Sequence, residues 1–434
     1  MISPMRFLPF LLCALAVGAA EPVATRRPNI LFIVSDDQAW TDYGFTGAKV
    51  VRTPHLDRLA RESLAFPRGY VVNSLCGPSL ASLLTGVHPH RHGMTGNDPA
   101  LPESAGKGAQ RYQSPEFQAG RERLTALWER NPRLPRLLSE AGYRTMQTGK
   151  WWLGDYTHGG FQEGMTKGGR HGDDGLVIGR KTLAPATEFM TKARQEGKPF
   201  FVWYAPMMPH DPHTPPERLL AKYRALTPSI HQARYWAMVE WFDETVGELR
   251  AFLEKEGLAK DTLIVYLADN GWIQSLDNPR YAPRSKQSPY EGGVRTPILL
   301  SWPGRLAPAS VDTPVSEVDV FPTVLKLAGL AVPGGLDGID LLDASAVAAR
   351  PAIFGSNSTH DIKEIGAPAK SLRYRWVVAG DWKLIVSSGL HEAAEPPQLF
   401  NLKEDPAELR DLAGAEPARV AELRRRLDGW WDGR

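Results

Sequence analysis

Cysteine is nearly missing from this chain of 434 residues: only Cys13 and Cys76 occur. Cys13 falls in an apolar N-terminal stretch read below as cleaved. Cys76 is then left without a partner, which excludes an internal disulfide in the mature protein. An excess of one charge is also missing. Lys and Arg number 51 against 49 Asp and Glu, a formal net charge of +2. With no basic stripe and no acidic tail, nucleic acid is not an expected partner. No apolar run after the N-terminus is long enough to span a bilayer, and no internal repeat points to a solenoid. A hydrophobic core must therefore hold the fold, and 434 residues suffice for a large domain and a smaller one.

Residues 1–20 read as a secretory signal. Arg6 supplies the positive start, Phe7 to Val17 the short apolar segment, and Gly18-Ala19-Ala20 the small-residue cleavage site. Leu12 before Cys13 is not the small residue a lipid anchor requires. The expectation is export to the periplasm or the extracellular space with no stable membrane anchor. Residues 21–335 are read as a catalytic α/β domain. The connector Ala331-Val332-Pro333-Gly334-Gly335 leads into a small α+β unit over 336–434.

Ile30-Leu31-Phe32-Ile33-Val34, Phe200 to Tyr204, Leu263 to Leu267 and the shorter Ile298-Leu299-Leu300 are continuous apolar runs of strand length. Continuous rather than alternating runs predict strands buried on both faces. Helical spacing appears between them, at Leu56-Leu59-Ala60, Leu134-Leu137-Leu138, Ala237-Trp241-Val246-Leu249 and Val320-Leu325-Leu327. The expectation is an α/β fold: a large mixed, mostly parallel sheet sandwiched by helices. The stretches Pro99 to Gln118 and Tyr156 to Asp174 read as long loops. Further on, Trp376 to Val378, Trp382 to Val386 and Gln398 to Phe400 predict short strands, and Val420 to Trp430 a closing helix.

Each long strand ends in polar chemistry: Ser35-Asp36-Asp37, Pro209-His210 and Asp269-Asn270-Gly271. Ligands bind at the carboxyl ends of strands in open α/β sheets, so these groups are candidates for one site. Three carboxylates converging there need a cation or raised pKa values. An all-oxygen set of Asp36, Asp37, Asp269 and Asn270 suits calcium or magnesium rather than zinc; taken singly, such Asp residues equally serve as helix caps. Cys76 opens a helical pattern, where backbone N–H groups favour an anion. Lys150, in Gly149-Lys150-Trp151-Trp152, is placed after a helix and a glycine-containing turn. Lys286 precedes Tyr290-Glu291-Gly292-Gly293.

Taken in order, these segments resemble the sulfatases of the alkaline phosphatase superfamily. The resemblance runs through Pro28-Asn29-Ile30 to Asp37, Cys76-Gly77-Pro78-Ser79 with Ala81 to Gly86, Gly142 to Trp151 and Pro209-His210. It continues through Asp269-Asn270-Gly271, Tyr290 to Arg295, Trp302-Pro303-Gly304, Val318 to Thr323 and Leu399 to Pro406. It covers nearly the whole mature chain. The resemblance implies that a maturation enzyme oxidises Cys76 to formylglycine, whose hydrate attacks sulfur and later collapses to release sulfate. It implies Asp36, Asp37, Asp269, Asn270 and modified Cys76 as ligands of calcium or magnesium. It implies Lys150, His210 and Lys286 as sulfate-binding groups, with His210 or Lys286 protonating the leaving oxygen.

Two positions depart from that pattern. Leu80 stands where the family's Cys-x-Pro-Ser-Arg has arginine, and falls on the apolar stripe Leu80-Leu83-Leu84-Val87. Trp152 stands where the family has a histidine base; His171, His158, His88, His90 and His92 are the candidate replacements. Trp40, Trp151, Trp152 and Trp272 adjoin the motifs and serve either core packing or sugar stacking. Asn97 and Asp98 are candidate sugar-hydroxyl contacts. The expected function is removal of sulfate from a sulfated carbohydrate. The alternatives are an impaired carbohydrate-binding relative and a phosphoester hydrolase of the same superfamily.

Overall fold

The computed structural model describes residues 27–100 and 109–434, so the signal reading of 1–20 and Cys13 lie outside the described residues. Eight strands form the main sheet. Their spatial order is Ala309–Ser310, Leu64–Phe66, Ile298–Ser301, Thr262–Ala268, Asn29–Ser35, Phe200–Ala205, Arg144–Gly149 and Glu163–Gly164. All pairings are parallel except the two made by Ile298–Ser301, which runs against both neighbours. The sheet is thus mixed and mostly parallel, as the apolar runs predict.

The three central strands are buried along their whole length. Because side chains alternate along a strand, each strand feeds two cores. Ile30, Phe32, Val34, Phe201, Trp203, Val265 and Leu267 enter one core. Leu31, Ile33, Phe200, Val202, Tyr204, Ile264 and Tyr266 enter the other. Helices Cys76–Thr85, Pro115–Trp128, Leu134–Glu140 and Val320–Leu327 cover the first side. Pro54–Arg61, Ala184–Gln195 and Ile230–Lys255 cover the second.

Register aligns the strand ends. Ser35 pairs with Ala268, and Gly149 with Ala205. A further bridge joins Asp36 to Pro209. Three polar strand ends therefore open on one edge of the sheet.

Two sequence expectations are corrected here. Lys150 does not follow a helix; it follows the buried strand Arg144–Gly149. That strand lacks an apolar run because its polar side chains are satisfied internally. Gln147 Nε2 donates to the Gly149 carbonyl at 2.9 Å, and Thr148 Oγ1 to the Trp203 carbonyl at 2.8 Å. The stretch Pro99 to Gln118 is not all loop either. A helix begins at Pro115, capped by the Ser114 hydroxyl, which accepts the Phe117 N–H at 3.2 Å.

Beyond the main sheet, Ile353–Ser358, Leu372–Ala379, Trp382–Ser387 and Gln398–Asn401 form an antiparallel meander. Its one face packs on helix Pro417–Trp430 through Val377, Leu384, Leu399, Leu423 and Leu427. Its other face packs Trp376, Val378, Ile385 and Phe400 against Tyr70, Val71 and Val294. A buried charge network crosses this second contact. Lys383 Nζ lies 3.0 Å from a carboxylate oxygen of Glu291 and 3.0 Å from one of Glu408. Tyr70 Oη donates to Glu291 at 2.9 Å. Among the described residues, no helix is long and apolar enough to cross a membrane.

Candidate active site

Cys76 is the first residue of a fully buried ten-residue helix, Cys76–Thr85. Leu80, Leu83 and Leu84 anchor that helix in the core, so Leu80 occupies a packing position. The helix start delivers the thiol to the sheet edge. Lys150 Nζ lies 3.0 Å from Cys76 Sγ, and Lys286 Nζ 3.5 Å from it. Asn270 Oδ1 is 3.4 Å from the sulfur and Asp36 Oδ1 3.9 Å. Burial, then Asp269, push the thiol above its ordinary pKa despite both lysines.

The carboxylates gather as the strand register requires. Asp37 takes a left-handed backbone, φ 67°, which turns the chain sharply after the strand. Its N–H donates to Asp269 Oδ1 at 2.9 Å, and its Oδ1 accepts from Asn270 Nδ2 at 2.7 Å. Lys286 Nζ reaches both Asp37 oxygens, at 2.6 and 2.7 Å. Lys150 Nζ is 2.7 Å from Asp36 Oδ1 and 3.8 Å from Asp269 Oδ2. His210 Nε2 is 3.4 Å from Asp37 Oδ2, while its Nδ1 faces Asp211 Oδ1 at 2.9 Å.

The charges perturb one another. Burial works to raise the Asp37 carboxyl, but Lys286, His210 and Lys150 prevail and hold it at about 2. Burial, then Asp36, push Asp269 up to about 7. Burial lowers His210, but Asp36 and Asp37 outweigh it and the imidazole is raised.

Two buried carboxylate oxygens, Asp36 Oδ2 and Asp269 Oδ2, have no hydrogen-bond partner. Buried polar atoms are normally satisfied. Ligand atoms of Asp36, Asp37, Cys76 and His210 lie within 4.8 Å of one another. Asp269 is outside that group but bonded to the Asp37 N–H; the two orphaned hard oxygens, with Asn270 beside them, fit a divalent cation of the calcium or magnesium type.

Beside Cys76 a narrow pocket is walled by Asn97, Asp98, Arg121, Trp152, Arg170 and His171, together with Gly77 and Lys150. Of the five candidate replacement histidines, His171 lines this pocket. His158 is held by Asp155 at 3.0 Å, His88 by Asp337 at 3.0 Å, and His90 stacks on Trp431. His92 Nε2 meets Ser82 Oγ at 2.9 Å. His171 sits at φ 67° in a segment whose next residues, Gly172 and Asp173, also have positive φ. The His171 carbonyl accepts the Trp151 N–H at 3.3 Å, which sets it against the Lys150-Trp151-Trp152 turn. A Cβ on Gly172 would stand 2.3 Å from the Gly149 carbonyl oxygen and one on Gly175 2.5 Å from it, so both must be glycine for this docking. Burial, then Lys150 and Arg170, hold the His171 imidazole far below its ordinary pKa and thus neutral.

Trp151, Trp152 and Trp272 are buried and pack with aromatic neighbours, the core reading. Trp40 is part-buried, with the Arg295 guanidinium 4.0 Å from its ring. Asn97 Oδ1 accepts the Gly77 N–H at 2.8 Å. Asp98 is gripped by Arg170, at 2.6 Å from Nη2 and 3.0 Å from Nε. Arg121 was not singled out in the sequence. Its signal was a cation on the buried stripe Phe117, Arg121, Leu124, Trp128 of helix Pro115–Trp128.

The family model for sulfatases matches residues 28–330. The model described as N-sulphoglucosamine sulphohydrolase, C-terminal, matches residues 284–429. The chain is 29% identical to N-acetylgalactosamine-6-sulfatase of Rattus norvegicus over 458 residues, covering 91% of this chain and 82% of that protein. It is 29% identical to arylsulfatase A of Homo sapiens over 485 residues, covering 95% of this chain and 89% of that one. Among solved structures, Ps i-CgsB matches with a TM-score of 0.74 and 26% identity, over 94% of each chain. More than half of the chain lies under the first family model and nearly all of it aligns with named sulfatases, so the chain belongs to the sulfatase family of sulfuric ester hydrolases.

Proposed function

We propose that this protein removes sulfate from a sulfated carbohydrate, with Cys76 as the site of formylglycine formation and one calcium or magnesium ion bound by Asp36, Asp37, Asp269, Asn270 and modified Cys76. The observation that carries the reading is the convergence of a thiol, two lysines and four oxygen-bearing side chains, two of them with orphaned oxygens, at the strand ends. The formylglycine hydrate would supply an oxygen nucleophile; loss of sulfate leaves the aldehyde, and addition of water restores the hydrate. A cation held by Asp36, Asp37, Asp269 and Asn270 would polarise sulfate oxygens and stabilise developing charge.

The chain's own residues do the rest. Lys150 and Lys286, now paired with Asp36 and Asp37, turn to the sulfate oxygens and neutralise them. His210, raised by its carboxylate neighbours, is the proton donor to the leaving sugar oxygen. His171, neutral and lining the pocket beside Cys76, takes the role of base that Trp152 cannot fill. Leu80 and Trp152 are then packing replacements within an active variant pocket.

Support for a carbohydrate substrate comes from the relatives: one is named N-acetylgalactosamine-6-sulfatase, and Ps i-CgsB is described in complex with k-i-k-neocarrahexaose. Export to the periplasm or outside the cell, cleavage after residue 20, a maturation enzyme as partner and a division near residue 335 complete the proposal. The deciding experiment is mass spectrometry of the Cys76 peptide from native-host protein, paired with sulfate-release and phosphate-release assays. Formylglycine with sulfate release supports the reading. Unmodified thiol with no sulfate released would sink it, and phosphate release alone would reassign the enzyme to phosphoesters.

A further inference from the structure

The pocket beside Cys76 carries one positive charge too many. Three cations line it: Lys150, Arg170 and Arg121. Lys150 is paired with Asp36 at 2.7 Å, and Arg170 with Asp98 at 2.6 Å. Arg121 has no carboxylate within 4.0 Å among the described residues. Its hydrogen bond is a long one, Nη2 to the Gly168 carbonyl at 3.3 Å. Yet Arg121 is only 7% exposed. A guanidinium buried without an anion is expensive, and such charges are otherwise found paired.

The neighbours offer partial relief: burial works against the Arg121 charge, Asp98 and Asp173 support it through space, and Arg170 opposes it. Asp98 is saturated by the Nε and Nη2 contacts of Arg170. Asn97 Oδ1 is committed to the Gly77 N–H. A second donor is stranded in the same wall: the buried Trp152 Nε1 has no acceptor. The pocket thus holds one buried donor without an acceptor, Trp152 Nε1, and beside it a guanidinium held by the long bond to Gly168 and by no ion pair among the described residues. Helix Pro115–Trp128 fixes this arrangement. It packs so closely on the chain at Pro99 that a Cβ on Gly120 would stand 2.6 Å from the Pro99 Cβ.

We infer that the substrate carries a second anionic group, a sulfate on the sugar bearing the scissile sulfate ester or a carboxylate on the sugar linked to it, and that Arg121 receives it. This rests on the sulfatase reading and names the substrate class within it. Arg121 is then a specificity-determining residue, since a substrate lacking the second anion leaves the guanidinium buried and unpaired.

The test uses the full, matured, metal-loaded protein and three probes. They are N-acetylgalactosamine 6-sulfate, its 4,6-disulfate, and the 6-sulfate linked to glucuronic acid. Sulfate release gives kcat/KM for each, and thermal shift gives binding independently of turnover. The wild type should prefer a doubly anionic probe, the disulfate arm reporting a sulfate partner and the glucuronide arm a carboxylate. Arg121→Gln should reduce that preference on the order of 10²-fold, and Arg121→Lys should keep part of it. An equal preference in wild type and Arg121→Gln, or a wild type that favours the singly charged sugar, would overturn the inference. If wild type releases no sulfate from any probe, N-acetylgalactosamine 6-sulfate is not the sugar it turns over, a result separate from the inference on Arg121. Thermal shift then decides: stabilisation by a doubly anionic sugar that Arg121→Gln loses supports the inference, and no selective stabilisation overturns it. Wild-type discrimination alone remains decisive should the glutamine variant not fold.

Discussion

The ammonium of Lys150 stands 3.0 Å from the sulfur of Cys76 and 2.7 Å from Asp36, bridging the reactive side chain to the carboxylate cluster. Lys150→Met keeps the stem and removes the charge. Its kcat should fall about 10²–10³-fold, as for loss of one preorganised donor at a developing charge. Steady-state kinetics on an aryl sulfate checks this. A drop confined to KM would make Lys150 a ground-state binding group only.

Orphaned Asp36 Oδ2 and Asp269 Oδ2 predict that a divalent cation stabilises the fold. Stripping the protein with a chelator should lower its melting temperature, and calcium or magnesium should restore it. At a free ion concentration 100 times Kd the gain is about 2.7 kcal/mol. Asp269→Asn should blunt the response. A melting curve indifferent to chelator and ion would exclude a cation from this cluster.

His171 is expected to act in turnover rather than in sugar binding. His171→Ala should lower kcat about 10²–10⁴-fold, the usual worth of a positioned base, while KM changes little. Because sulfated enzyme would then accumulate, intact-mass spectrometry during turnover should show a sulfate adduct. A variant with lowered affinity and no adduct would make His171 a structural residue.

The Glu291–Lys383–Glu408 network gives stability a pH dependence away from the reacting centre. Burial pushes Glu408 up to about 7, with Glu291 adding to the rise and Lys383 opposing it. Between the ordinary glutamate value of 4.5 and that figure the native state holds a proton the unfolded chain has lost. Stability therefore falls as pH rises across this window. Glu408→Gln should flatten the slope in urea melts taken from pH 5 to pH 8. An unchanged slope would mean that Lys383 keeps both carboxylates ionised.

Much of the fold was legible because its strands are buried on both faces. Ile30 to Val34, Phe200 to Tyr204 and Leu263 to Leu267 show as unbroken apolar runs, and the polar residues after them fall on one edge by register alone. Asp36, Asp37, Asp269, Asn270, Cys76, Lys150, Lys286 and His210 accordingly come together. The strand Arg144–Gly149 escaped because its polarity is answered by hydrogen bonds that no local pattern reveals. Arg121 escaped because the stretch before it reads as loop, and its burial depends on Asp98 and Pro99 from a distant part of the chain. His171 could be named but not ranked: its position depends on a left-handed backbone and on two glycines meeting Gly149.

That meeting of Gly172 and Gly175 with the Gly149 carbonyl bears on how the enzyme can diversify. The segment carrying His171 is a keyed part, and a single methyl added at either glycine would push it off the Gly149 carbonyl. The wall formed by Arg121 is locked at one point, Gly120 against Pro99, while Arg121 itself reaches in from a regular helix. New sugar preferences should therefore be sought by varying that helix, and any transplant of the histidine segment between relatives must carry its two glycines along.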